Sequence, residues 1–212
     1  MSRAYLTIDD GPSKTIAHKR SVLAERDVPA LFFFEGRYVA RRFESVVETL
    51  RAGFHVGNHA YSHTAFSSLS LTRAKREVRS TDDLIEAAYE RAGVERPAKA
   101  FRYPYGDPIA EQHRAAFRAF LDELGYDGPP TAADATTASR DGSVAWFWTL
   151  DCREYDLEDV AAVRERIDEH RATRDPDRVE VVLVHDHAAT DRLFEPIVDA
   201  LLESGLAFQR PV

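Results

Sequence analysis

Short apolar runs recur along the chain, at residues 4–8, 30–34, 54–57, 100–103, 145–149 and 180–185, with a weaker one at 206–209. Each ends at Gly, Pro, Asp or another polar residue, the signature of short buried strands. Longer segments between them carry mixed apolar and charged residues and read as helices, at 14–26, 41–52, 71–92, 110–124, 157–171 and 190–203. Strand, loop and helix alternate throughout, which predicts a largely parallel α/β fold. Gly128 to Ser143 holds two prolines among many Ala, Thr and Asp residues and reads as a loop.

Composition narrows this picture. At 212 residues the chain can bury a sizeable core, and a single domain over residues 1–212 is expected. No stretch approaches the roughly 18 apolar residues that span a membrane. The start, Met-Ser-Arg-Ala-Tyr-Leu, enters the first strand directly and shows no signal-peptide pattern. A cytoplasmic location is therefore expected on the sequence as it stands, and an extracellular one if a leader has been trimmed. Net charge is −8, which argues against a nucleic-acid surface. No membrane or protein partner is predicted. Cys152 is the single cysteine, so no intrachain disulfide can form, and it reads as a small buried residue.

The candidate chemistry gathers at the ends of the predicted strands. Thr7-Ile8-Asp9-Asp10-Gly11-Pro12 places two carboxylates where a buried strand meets a loop. Neighbours on an extended chain point to opposite sides, yet a bend there can aim both into one pocket. Two adjacent carboxylates repel unless a cation or proton compensates them. Gly57-Asn58-His59-Ala60-Tyr61-Ser62-His63 follows the third run. A spacing of four places His59 and His63 on one face of a helical turn. Two imidazoles and one carboxylate suit a catalytic metal with an open position. Phe101-Arg102-Tyr103-Pro104-Tyr105-Gly106 ends another run, and Val181-Val182-Leu183-Val184-His185-Asp186-His187 ends the last. In parallel α/β barrels the carboxyl ends of the strands form the face on which active sites are built.

TIDDGP, HAYSH, RYPYG and LVHD, in this order and at these distances, resemble the polysaccharide deacetylase family, also called the NodB-homology or carbohydrate esterase 4 family. The resemblance runs from residue 7 to 186. It implies an irregular (β/α) barrel of about seven parallel strands. It also implies a metal-dependent hydrolase that removes acetyl from N-acetylated amino sugars of the chitooligosaccharide or peptidoglycan type. Asp9 matches the family's catalytic base. Asp10, His59 and His63 match the ligands of one divalent ion, zinc first, with cobalt, nickel or manganese as alternatives. Arg102 matches the arginine that pairs with the base, and Tyr105 a residue whose backbone N–H helps bind the oxyanion. Leu183 matches a pocket-lining position, and His185 the general acid. One motif departs. Where the family usually carries Asp-x-x-Asp before an aromatic residue, this chain has Asp151-Cys152-Arg153-Glu154-Tyr155. Glu154 thus stands at the position that orients the catalytic histidine, one methylene longer. Tyr155 and one of Trp146 and Trp148 are candidate walls for a sugar groove.

Other functions fit parts of the pattern. Metal hydrolysis of a cyclic amide or ureide is one. A sugar-binding relative without catalysis is another, although such a protein has no need of a base beside its metal. Two histidines and a carboxylate also suit non-haem iron, which the paired aspartates and the α/β pattern disfavour.

Overall fold

The structure, a computed structural model, describes residues 2–129, 144–156, 159–174 and 178–211. Its strands are β1 (Ser2–Asp10), β2 (Ala30–Phe34), β3 (His55–Asn58), β4 (Leu150–Asp151), β5 (Glu180–His185) and β6 (Leu206–Phe208). They pair in the order β3-β2-β1-β5-β4, and β6 joins the first residues of β1. Every pairing is parallel. The helices are α1 (Ile16–Glu25), α2 (Gly36–Arg41), α3 (Phe43–Arg51), α4 (Leu71–Ala92), α5 (Arg114–Glu123), α6 (Val160–Thr173) and α7 (Asp191–Glu203). The α/β expectation holds. Among the described residues no helix is long and apolar enough to cross a membrane.

Strand alternation sorts the side chains into two layers. Ala4, Leu6 and Ile8 of β1 join Phe32, Phe34, Val182 and Val184 in a core shared with the helices. Tyr5, Leu31, Phe33 and Val181 turn the other way and pack with Trp146. Thr7 and Asp9 continue this second, inner set. The inner face is therefore apolar at its amino end and becomes polar at its carboxyl end.

Two expected strands are not regular ones. Residues 100–103 contribute only a bridge, Asn58 to Phe101, and residues 145–149 give way to the two-residue β4 that follows them. Their backbone bonds nevertheless carry the sheet round. Asn58 N–H donates to the Ala100 carbonyl and Arg102 N–H to the Asn58 carbonyl. Trp146 N–H donates to the Phe101 carbonyl, and Thr149 N–H to Val181 beside β5. Pro104 cannot extend the ladder, and Tyr105 and Gly106 then turn with φ of 59°. This is why the run stops at a bridge and opens into the cleft.

Helix α4 has the bounds expected from sequence. The Ser70 side chain accepts from Arg73 N–H at its start, and Gly93, at φ 71°, ends it. The helix expected at 41–52 begins only after a break at Arg42, preceded by the unforeseen α2. Most of the loop expected at Gly128 to Ser143 lies outside the described residues.

Candidate active site

At the carboxyl end of the sheet lies a cleft of about 910 Å³, lined by residues that include Asp9, Asp10, His59, His63, Tyr105, Trp148, Tyr155, Leu183 and His185. The two aspartates reach it by different routes. Asp9 points inward by strand alternation and is 3% exposed. Asp10 by the same rule would point outward, but its left-handed backbone, φ 76°, turns it into the cleft. Gly11 must follow, since a Cβ there would sit 2.3 Å from the Asp186 carboxylate.

Arg102 is fully buried behind Asp9. Its Nη1 donates to Asp9 Oδ1 at 2.7 Å and to Thr7 Oγ1 at 2.8 Å, and its Nε donates to the Trp146 carbonyl at 3.1 Å. The guanidinium lies over the Phe33 ring at 4.4 Å. Burial lowers its pKa while the Asp9 charge opposes that shift.

His59 and His63 do not share a helical turn. β3 ends at Asn58, and Ala60 and His63 both take left-handed φ, 60° and 55°. The spacing of four works because a tight loop folds back, leaving the rings 5.0 Å apart. His63 Nε2 is 3.1 Å and His59 Nε2 3.5 Å from Asp10 Oδ1. Tetrahedral ligands about 2.0–2.1 Å from zinc sit about 3.3 Å apart, so this donor set fits a divalent ion. His59 Nδ1 lies 3.0 Å from the Arg102 carbonyl, which fixes the proton on Nδ1 and leaves the Nε2 lone pair for a metal. Burial would raise the Asp10 carboxyl, but its hydrogen bonds with His59 and His63 hold it well below the usual carboxylate range. Burial works against a charged His59, and Asp9 and Asp10 more than offset it, so its pKa is raised.

On β5, in register with Asp9 of β1, His185 N–H donates to Glu154 Oε1 at 2.5 Å, and His185 Nδ1 lies 3.0 Å from the same oxygen. Glu154 therefore reaches the histidine despite its extra methylene. Burial disfavours the imidazolium, but Glu154, with Asp9 and Asp10 behind it, raises the His185 pKa to about 9. The Tyr155 ring stands edge-on to His185 at 5.0 Å, and the Tyr105 ring to His63 at 4.4 Å.

The family model described as polysaccharide deacetylase matches residues 2–128. The chain belongs to the polysaccharide deacetylase family. It is 27% identical over 190 residues to a chitooligosaccharide deacetylase of Sinorhizobium fredii, covering 89% of this chain and 74% of that one. It is 27% identical over 210 residues to a peptidoglycan-N-acetylglucosamine deacetylase of Bacillus cereus, covering 97% and 68%. The chain spans between 54% and 74% of the length of four such relatives. In fold it is similar to a family 4 carbohydrate esterase from Streptomyces lividans solved with acetate, with a TM-score of 0.72, 24% identity, and 98% and 91% of the two chains covered. The fold of this polysaccharide deacetylase relative is thus the α/β barrel of its family.

A second cluster in this deacetylase fold, Asp151, Glu154 and His185, also brings its ligand atoms within 4.8 Å of one another. Its histidine already engages Glu154, and Asp151 accepts from Arg153 N–H and the Tyr155 hydroxyl. The members of that cluster thus already engage one another and their neighbours, whereas the spacing of Asp10, His59 and His63 suits an ion. Trp148 lines the cleft, whereas Trp146 is core. Cys152 is fully buried, and burial pushes its thiol pKa up.

Sequence reasoning missed several supports. Lys19, fully buried, pairs with Asp186 at 2.8 Å and contacts Asp191. Its signal was available: Ile16, Lys19 and Leu23 share the buried stripe of α1, so a lysine occupies a core position. Glu35, a buried carboxyl lining the cleft, is held by Arg37, and burial raises its pKa. Nothing in its local sequence set it apart.

Proposed function

We propose that this chain is a metal-dependent hydrolase that removes the acetyl group from N-acetylated amino sugars in glycans of the chitooligosaccharide or peptidoglycan type. The observation that carries this reading is the convergence, at the carboxyl end of the sheet, of Asp9 paired with Arg102, the Asp10, His59 and His63 donor set, and a His185 whose imidazolium Glu154 favours. The names of the two curated relatives support the substrate class.

Asp10, His59 and His63 would hold the ion. When bound, a divalent ion polarises the acetyl carbonyl and lowers the pKa of water. Asp9 takes the proton from the attacking water, and its fixed pairing with Arg102 keeps the accepting oxygens in place. The Tyr105 backbone N–H donates to the developing oxyanion, a contribution of about 10²–10³ in rate in comparable sites. An amine is a poor leaving group, so it must gain a proton as the C–N bond breaks. His185 holds its Nδ1 proton on Glu154 and gives the Nε2 proton to that nitrogen. Leu183, Trp148 and Tyr155 supply apolar walls for the sugar.

The test is acetate release from chitooligosaccharides, peptidoglycan fragments, acetylated xylan and small N-acetyl sugars, with zinc, cobalt, nickel or manganese supplied to chelator-treated protein. Turnover of an N-acetylated glycan that returns with metal is expected. Release of acetate that ignores chelation would remove the metal from the reading. No acetate from any glycan, with hydrolysis of a cyclic amide or ureide instead, would favour the second hydrolase class. Binding of a glycan without any turnover would make the chain a sugar-binding relative.

A further inference from the structure

The loop between the two histidines is held from behind by a helix that never reaches the cleft. Glu77, on α4, is 8% exposed and is not among the cleft-lining residues. Its Oε2 alone accepts three hydrogen bonds from the loop: from Ser62 N–H at 2.7 Å, the Ser62 hydroxyl at 2.9 Å and Tyr61 N–H at 3.1 Å. The next residue of α4, Val78, accepts from Asn58 Nδ2 at 2.9 Å, and Asn58 Oδ1 accepts from Ala60 N–H at 2.9 Å. Adjacent residues of one helix thus grip both sides of His59.

The loop needs such a grip. Ala60 and His63 are left-handed without being glycine, a backbone state that persists only where its surroundings over-determine it. Two further bonds, from Gly36 N–H to the Ala60 carbonyl and from Arg37 N–H to the Tyr61 carbonyl, tie the front of the loop to α2. The amides of Tyr61 and Ser62, however, have Glu77 as their acceptor. Without it, two N–H groups next to His63 lose their partner, and the left-handed turn that aims His63 at Asp10 loses its anchor.

We propose that Glu77 is a positioning residue for the metal centre. It acts through the residue 61–63 loop to preset His63 against Asp10 before any ion arrives. This rests on the reading of Asp10, His59 and His63 as metal ligands. What matters is an acceptor oxygen at this place, so a glutamine, whose Oε1 can occupy it, should serve nearly as well, whereas a leucine of similar size should not.

The experiment measures zinc affinity by competition with a chromophoric chelator for wild type, Glu77→Gln and Glu77→Leu, together with amide hydrogen exchange of residues 60–63 in metal-free wild-type protein. Glu77→Leu should bind zinc about 10–100-fold more weakly, the range seen when an outer partner of a metal ligand is removed. Glu77→Gln should stay within a few-fold of wild type. The Tyr61 and Ser62 amides should be protected before metal is added. Unchanged affinity in a folded Glu77→Leu protein overturns the role, and so do equal losses in both variants. If Glu77→Leu does not fold, fast exchange at Tyr61 and Ser62 in the wild type overturns it, and protection there with near-normal zinc binding by Glu77→Gln supports it. A wild-type protein without measurable zinc affinity refutes the metal reading itself, an outcome distinct from normal wild-type affinity that Glu77→Leu leaves intact.

Discussion

Asp9 and Asp10 are neighbours that meet different partners, and the difference comes from one backbone angle. Asp9 keeps its strand direction and meets Arg102, whereas Asp10 turns through φ 76° and meets the histidines. Asp9→Asn is therefore expected to retain the ion after dialysis while losing about 10²–10⁴ in turnover, the usual contribution of a general base. Asp10→Asn should lose the ion itself. Equal metal loss in the two variants, measured by elemental analysis, would make Asp9 a ligand instead. His185 carries the second residue-scale expectation. Its raised pKa, about 9, means that it is protonated through the neutral range and that the acid is lost as pH rises past that value. Glu154→Gln removes the negative charge that favours the imidazolium, so the alkaline limb of the pH–rate profile should move to lower pH by about one unit or more. An unmoved limb would take Glu154 out of the mechanism. His185→Ala should depress amide hydrolysis far more than hydrolysis of an ester with a good leaving group, which departs without a proton. Equal losses on both substrates would refute the acid role.

At the scale of elements, the site depends on how strand ends and loops are tied to the helices behind them. The loop after β1 is fastened by Ser13 N–H donating to Asp186 Oδ2 at 2.6 Å, and Asp186 is itself held by Lys19 of α1. Lys19 also contacts Asp191, the first residue of α7. One buried cation thus joins α1, the end of β5 and the start of α7, and removing one partner of a buried pair leaves the other charges uncompensated. Lys19→Met is expected to cost about 3–5 kcal/mol of stability, read from urea unfolding. A loss below about 1 kcal/mol would show that Asp186 and Asp191 find other partners. The reduction of one expected strand to a bridge, and the shift of another to the two-residue β4, belong to the same scale. Residues 100–103 are long enough for a strand, but the chain turns away at Pro104 and Tyr105 and opens into the cleft.

For the whole molecule, a metal that binds only the folded state adds to its stability by mass action. At an ion concentration 100 times the Kd the gain is about 2.7 kcal/mol, which for a protein of this length corresponds to a rise in Tm of roughly 5–10 °C. Chelation should lower Tm by that amount, and the double variant His59→Ala/His63→Ala should melt at one temperature with or without metal. A chelation effect that persists in the double variant would place the ion elsewhere. The sequence by itself determined much of this molecule. Short apolar runs set β1, β2 and β5, a long stretch of mixed apolar and charged residues set α4, and four ordered motifs located most of the cleft, because run length, turn residues and reactive side chains are local properties of the chain. It pointed to Asp9, Asp10, His59, His63, Arg102 and His185 without showing how they meet. Only the tertiary structure decided that His59 and His63 converge through a left-handed loop and not a helical turn, because that conformation is held by Asn58 and by Glu77 from α4. It also decided that Glu154 reaches His185 and that Lys19 is buried. Apart from the local Asn58 bond, those contacts join residues 15 to 172 positions apart, and no local pattern encodes which of many carboxylates a distant histidine or lysine will meet.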